Sequence, residues 1–148
     1  MKVSYLLDTN ILVRLVDRAS VQHVVAVAAV ARLLTQGHEL HISAQNLIEF
    51  WSVATRPPSA NGLGWDTTRT LTELNDIRSR FPLRDDTPDI FLNWLRLVSA
   101  EGVSGRQVHD ARLVAVMEAH SITHLLTVNT NDFRRYSTIT VVYPDEVH

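Results

Sequence analysis

The chain has 148 residues, with 14 Lys and Arg against 16 Asp and Glu, a formal net charge of −2. One domain spanning residues 1–148, large enough to bury a full core, is expected at this length. The charge balance excludes a globally basic nucleic-acid binder and leaves only a local cationic patch for such a role. With no cysteine, disulfides, thiolate metal sites and cysteine nucleophiles are excluded as well.

Val3 to Leu7 reads as the first strand. Asn10 to Val16 follows as a helix with Asn10 as its expected N-cap. A second helix, Val21 to Thr35, is rich in Ala and Val and stops at Gln36-Gly37. Glu39 to Ile42 is a short strand, and Ser43 is the expected N-cap of a helix that runs to Thr55 and halts at Arg56-Pro57-Pro58. Ser59 to Gly64 is loop. Asp66 caps the next predicted helix, to Arg80, and Phe81-Pro82-Leu83 is extended. Thr87-Pro88 is expected to open a helix to Ala100 with Pro at its first position. Gly102 to Gly105 breaks the chain before a helix from Arg106 to His120. His124 to Val128 and Ile139 to Tyr143 read as strands on either side of a short turn or helix at Asp132-Phe133. Strands alternating with helices predict a three-layer α/β/α fold around a mainly parallel sheet. In such sheets a site forms beyond the carboxyl ends of the strands, where Asp8 and Asn129 fall. Asp8 also comes too early for the apolar segment of a signal peptide. The longest apolar run, Val24 to Ala31, is far short of the ~20 residues of a membrane span. A soluble, cytoplasmic protein is expected.

Three acids stand in apolar settings: Asp8 after Val3-Ser4-Tyr5-Leu6-Leu7, Glu49 within Asn46-Leu47-Ile48-Glu49-Phe50-Trp51, and Asp110 within Val108-His109-Asp110-Ala111. Ionised carboxylates are costly to bury unless paired or bound to a cation. Their joint occurrence points to an oxygen-lined site for Mg²⁺ or Mn²⁺, and so to a metal-dependent hydrolase acting on phosphate esters. Singly, each has a plainer explanation. Asp8 suits a helix cap, Glu49 a solvated helix edge, and Asp110 the first turn of a helix, where acids complement the dipole.

Four segments in order resemble the motifs of the PIN-domain ribonucleases, in particular the VapC-type toxins of bacterial toxin–antitoxin pairs. They are Leu7-Asp8-Thr9-Asn10-Ile11-Leu12, Gln45-Asn46-Leu47-Ile48-Glu49-Phe50-Trp51, Val108-His109-Asp110-Ala111-Arg112-Leu113 and Leu126-Thr127-Val128-Asn129-Thr130-Asn131-Asp132-Phe133. The resemblance covers nearly the whole chain. It implies a PIN-like α/β/α fold, a divalent-metal site and endoribonuclease activity on single-stranded or structured RNA. By motif, Asp8, Glu49 and Asp110 would bind metal and act in catalysis. Many relatives hold an acid directly after Thr-x; here Asn129 stands there, with Asp132 three residues on as the alternative source of charge. Thr9 and Thr127 would orient carboxylates through their hydroxyls, and Asn10 and Asn129 would support the site. His109, beside Asp110, is read as packing or making a structural hydrogen bond rather than acting as a metal ligand or general acid.

RNA around an acidic centre needs cations to hold it. Arg14, Arg56, Arg112 and Arg134 are the candidates, with Arg106 and Arg135 beside them. The resemblance also implies a cognate antitoxin and a homodimer. The apolar stretch Val21 to Leu34 suits either core burial or such a partner surface. Two other functions compete. A non-catalytic RNA- or antitoxin-binding module would fit a site weakened at Asn129. A phosphatase with Asp8 as nucleophile would usually carry a second Asp at the place of Asn10.

Overall fold

The computed structural model describes residues 1–148. The elements in order are β1 (Ser4–Leu7), α1 (Thr9–Val16), α2 (His23–Thr35), β2 (Glu39–Ser43), α3 (Ala44–Thr55), α4 (Thr67–Arg80), β3 (Leu83–Arg84), α5 (Ile90–Glu101), α6 (Gln107–Ala119), β4 (His124–Leu126), α7 (Thr130–Phe133) and β5 (Thr140–Val142). Short 3-10 turns lie at Pro58–Ala60 and Pro144–Glu146. The five strands form a sheet in the order β3-β2-β1-β4-β5, every neighbouring pair parallel. The chain leaves β1 toward β2 and later returns to add β4 on the other side. The strand order therefore reverses at β1 and β4, where open α/β sheets form their crevices.

Side-chain alternation along the strands divides the core in two. Tyr5 and Leu7 of β1 join Leu40 and Ile42 of β2 in a layer with α1, α2, α3 and α4. Leu6 of β1 and Leu125 of β4 point the other way, into a layer with α5 and α6. Leu113 to Met117 of α6 are all buried, because that helix lies between the sheet and α5 and has little free face. Leu6, Leu7, Leu125 and Leu126 are fully buried, each contributing roughly 1.5–3 kcal/mol. They hold together the two strand ends that carry Asp8 and Thr127.

Two expected helix starts are placed differently. Asn10 is not an N-cap. The first helix begins at Thr9, and Asp8, still in extended conformation, accepts the Thr9 N–H on its own carboxylate. Asp8 is the only residue between strand and helix, which frees the Asn10 side chain for the site. Pro88 does not open α5. The Thr87 hydroxyl bonds the Asp89 carboxylate and the Thr87 carbonyl accepts the Ile90 N–H, so Thr87 to Asp89 form a turn and the helix starts at Ile90. Ser43 and Asp66 cap α3 and α4 as expected.

The stretch Val21 to Leu34 is buried along one side only. Ala26, Ala29, Val30 and Leu33 are buried, whereas Val21, Val24, Val27 and Leu34 are exposed, Val21 by 90 %. No helix is long and apolar enough to cross a membrane.

Candidate active site

Asp8 leaves the end of β1 against the end of β4, its N–H donating to the Leu126 carbonyl at 3.0 Å. The residue is 6 % exposed. Oδ1 accepts the Thr9 N–H at 2.7 Å; Oδ2 accepts the Thr127 hydroxyl at 2.7 Å and the Asn10 amide at 3.2 Å. Asn10 also accepts the Val128 N–H through Oδ1 at 3.3 Å, and the Asn129 N–H donates to the Thr127 hydroxyl at 3.0 Å. The first and fourth motifs are thus tied together around one buried carboxylate.

Glu49 is half-buried on α3. The entry of that helix is fixed by Ser43 and Asn46: the Ser43 hydroxyl accepts the Asn46 N–H, and Asn46 Oδ1 accepts the Ser43 N–H at 3.0 Å. Asn46 Nδ2 reaches the Thr9 hydroxyl at 3.4 Å, and that hydroxyl donates to Glu49 Oε1 at 2.8 Å. Gln45 Nε2 approaches Glu49 Oε2 at 3.4 Å. Asn46 and Gln45 were not singled out from sequence. The Ser-x-x-Asn spacing of a reciprocal cap and the i, i+4 spacing of Gln45 and Glu49 are the signals that point to them.

Asp110 lies in the first turn of α6 and Asp132 in α7. Asp8, Thr9, Asn10, Glu49, Asp110 and Asn129 line a cleft of about 510 Å³ together with Arg14, Arg56 and Arg106. An adjoining recess of about 580 Å³ adds Gln107, His109 and Asp132. Arg56 is held where the loop after α3 folds back on it. The Gly64 N–H donates to the Arg56 carbonyl at 2.8 Å, and a Cβ on Gly62 would lie 2.1 Å from that same oxygen. Arg112 and Arg134 do not line the cleft. Arg112 pairs with Asp86 at 3.3 Å and donates to Gln45 Oε1 at 3.0 Å. Arg134 is exposed and bonds Asn131 and Thr130 of its own turn, while Arg135 bonds Gln107.

The electrostatics follow from burial and crowding of like charge. Burial pushes the Asp8 carboxyl up to about 6, with Glu49 adding to the rise and the bonds from Thr127, Thr9 and Asn10 opposing it. Asp110 is pushed up to about 7 by burial, then by Asp8, Asp132 and Glu49, with Arg106 opposing. The carboxylates do not close into a compact cage of three ligands. They repel one another across a shared cleft, an arrangement that a divalent cation relieves. Oxygen donors with open positions around them fit Mg²⁺ or Mn²⁺, since Mg²⁺ is held by one or two carboxylates and keeps several waters.

The model of the PIN domain family matches residues 5–139. No curated protein matches the sequence significantly. Among solved structures, the chain is similar to a VapBC complex of Rickettsia felis bound to a fragment of its promoter DNA, with a TM-score of 0.70 and 18 % identity over 95 % of this chain and 98 % of that one. It is similar to a toxin–antitoxin complex of Klebsiella pneumoniae, with a TM-score of 0.63 and 25 % identity over 95 % and 97 % of the two chains. A sarcin–ricin-loop-cleaving VapC toxin of Mycobacterium tuberculosis matches with a TM-score of 0.57 and 22 % identity over 82 % and 86 %. With the family pattern running through nearly the whole chain and its acids gathered where β1 and β4 end, this protein belongs to the PIN domain family.

Proposed function

We propose that the chain is a divalent-metal-dependent endoribonuclease that uses Mg²⁺ or Mn²⁺ and acts as the toxin of a toxin–antitoxin pair. The observation that carries this reading is the gathering of Asp8, Glu49 and Asp110, from separate parts of the chain, around one cleft walled by Arg14, Arg56 and Arg106, with Asp132 in the adjoining recess. PIN domains of the VapC type are generally nucleases, and PIN nucleases generally use divalent metals.

Asp8, Glu49 and Asp110 would hold the ion through carboxylate oxygens, with Asp132 adding charge beside Asp110. When bound, such an ion lowers the pKa of a water and polarises a phosphoryl oxygen. The chain's own side chains do the rest. Thr127, Asn10 and the Thr9 N–H fix the Asp8 carboxylate, and the Thr9 hydroxyl fixes Glu49. Arg14, Arg56 and Arg106 offset the repulsion between the acids and RNA phosphates on either side of the cut. Hydrolysis forms a bond from a water oxygen to phosphorus and breaks one ester bond.

Two apolar surfaces suit protein partners. Val21, Val24 and Val27 on and before α2 are exposed, and Arg14, bonded through its carbonyl to His23 of α2, leads from them into the acidic cleft. An antitoxin segment on α2 could therefore extend a basic side chain into the cleft. Phe91, Leu92 and Leu95 form an exposed patch on α5 that suits a second copy of the chain.

The test is incubation of a defined single-stranded RNA with Mn²⁺, with and without chelator, for the wild type and Asp8→Asn. Cleavage is expected only in the wild type with free Mn²⁺. RNA retention without cutting under every condition would replace the nuclease with a binding module.

A further inference from the structure

Gln45 is 9 % exposed and occupies none of the positions that define the acidic cleft. Its amide nevertheless touches three groups on α3 and α6. Nε2 donates to the His109 carbonyl at 2.8 Å, one residue before Asp110, and approaches Glu49 Oε2 at 3.4 Å. Oε1 accepts Arg112 Nη1 at 3.0 Å. Arg112 is itself held by Asp86, from the segment between β3 and α5, at 3.3 Å. The orientation of this amide is determined by chemistry. A guanidinium only donates and a carbonyl only accepts, so a flipped amide would set N–H against N–H at Arg112 and oxygen against oxygen at His109. In the permitted orientation the two N–H groups serve His109 and Glu49. Glu49 then has one carboxylate oxygen against Thr9 of α1 and the other against Gln45.

We propose that Gln45 is a positioning residue that sets the Glu49 carboxylate at a fixed distance from Asp110, and that Arg112 acts through Gln45 by locking its amide. The proposal rests on the metallonuclease reading above. Arg112 is thereby a support of the acidic site instead of an RNA contact. Partners one step behind a metal's own ligands typically change metal affinity or activity by about 10–100-fold when removed.

The test uses the full chain and Mn²⁺ alone, with bound and free ion separated by electron paramagnetic resonance. Gln45→Met keeps the length of the side chain and removes its hydrogen bonds. It is expected to retain a cooperative thermal transition and to bind Mn²⁺ about 10-fold more weakly. Arg112→Met is expected to weaken binding less, and to have no further effect in the Gln45→Met background. With a single-stranded RNA oligonucleotide, Gln45→Met should lower kcat at saturating Mn²⁺ and leave KM unchanged. Unaltered Mn²⁺ affinity in a folded Gln45→Met, or an Arg112→Met loss that adds in full to that of Gln45→Met, overturns the proposal. Should Gln45→Met fail to fold, Arg112→Met decides alone: weaker Mn²⁺ binding supports the positioning role of Gln45 and unchanged binding ends it. If the wild type takes up no Mn²⁺, the nuclease reading falls first and the positioning role with it.

Discussion

The Thr127 hydroxyl donates to the Asp8 carboxylate at 2.7 Å across the ends of β4 and β1. Both residues are buried, and they bind the first motif of the chain to the last. In a dry setting a charge-assisted hydrogen bond of this kind favours the ionised carboxylate, against the burial that disfavours it. The same hydroxyl receives the Asn129 N–H at 3.0 Å, so it also shapes the turn that carries Asn129 into the cleft.

Thr127→Val tests this directly. The shape is nearly kept and the hydroxyl is lost, leaving Asp8 Oδ2 with Asn10 alone and the Asn129 N–H without its acceptor. Removing one partner of a buried polar group costs about 1–3 kcal/mol. The variant should be less stable by that order in urea titrations. The loss should be larger at pH 8, where Asp8 is ionised, than at pH 5. An equal loss at both would mean that the hydroxyl serves the backbone and not the carboxylate.

Metal-free stability should carry the signature of the raised acids. Asp8 and Asp110 have folded-state values of about 6 and about 7, above their unfolded values. The folded state therefore holds the extra protons. Their contribution to stability is fully present below the unfolded values and is lost as pH rises through about 6 and about 7. His41 and His124, lowered mainly by burial, act in the opposite sense, losing stability as pH falls. Asp8→Asn removes the Asp8 carboxylate and its share of the Asp110 rise, so the variant should gain in Tm relative to the wild type between pH 5 and 8. Mn²⁺ binds the deprotonated acids, so it should raise the wild-type Tm more at pH 8 than at pH 5. A Tm difference independent of pH would contradict the shift assigned to Asp8.

The fold was legible because its local signals agree. The Ser43 and Asp66 caps, the glycine break before α6 and the strand–helix alternation all point to one arrangement. The acids were legible because Asp8, Glu49 and Asp110 are isolated charges in apolar runs. What sequence could not separate was one arginine from another. Arg112 follows Asp110 by two positions, a rotation of ~200° around the helix, and so turns to Gln45 and Asp86. Arg106 reaches the cleft as the N-cap of α6, and Arg14 reaches it from the last turn of the short helix α1. For Gln45 the sequence offers only its i, i+4 spacing to Glu49; its bonds to the His109 carbonyl and to Arg112 come from a helix 64 and 67 residues away.

The α5 patch yields a prediction about assembly. Phe91, Leu92 and Leu95 are 62 %, 66 % and 44 % exposed within one turn of α5, and clustered exposed apolar side chains of this kind mark contact surfaces. Leu92→Glu should convert a wild-type dimer to a monomer by light scattering, with an unchanged Tm of the metal-free monomeric fold. A wild type that is already monomeric at micromolar concentration would remove α5 as the self-association surface.

The fourth acidic position can be decided by charge. Asp132 raises the Asp110 carboxyl and lines the recess beside it, whereas Asn129 lines both the cleft and the recess but carries no charge. If Asp132 supplies the negative field there, Asp132→Asn should lower the Asp110 pKa, read by carboxyl NMR in the metal-free protein, and weaken Mn²⁺ binding by about 10-fold. Asn129→Asp puts a carboxylate back at the cleft wall. It should raise the Asp110 pKa further and, in the double variant, recover the Mn²⁺ affinity lost with Asp132. Asp132→Asn with undiminished Mn²⁺ binding would assign the ion to Asp8, Glu49 and Asp110 alone, and Asp132 would then act only on the charge state of its neighbour.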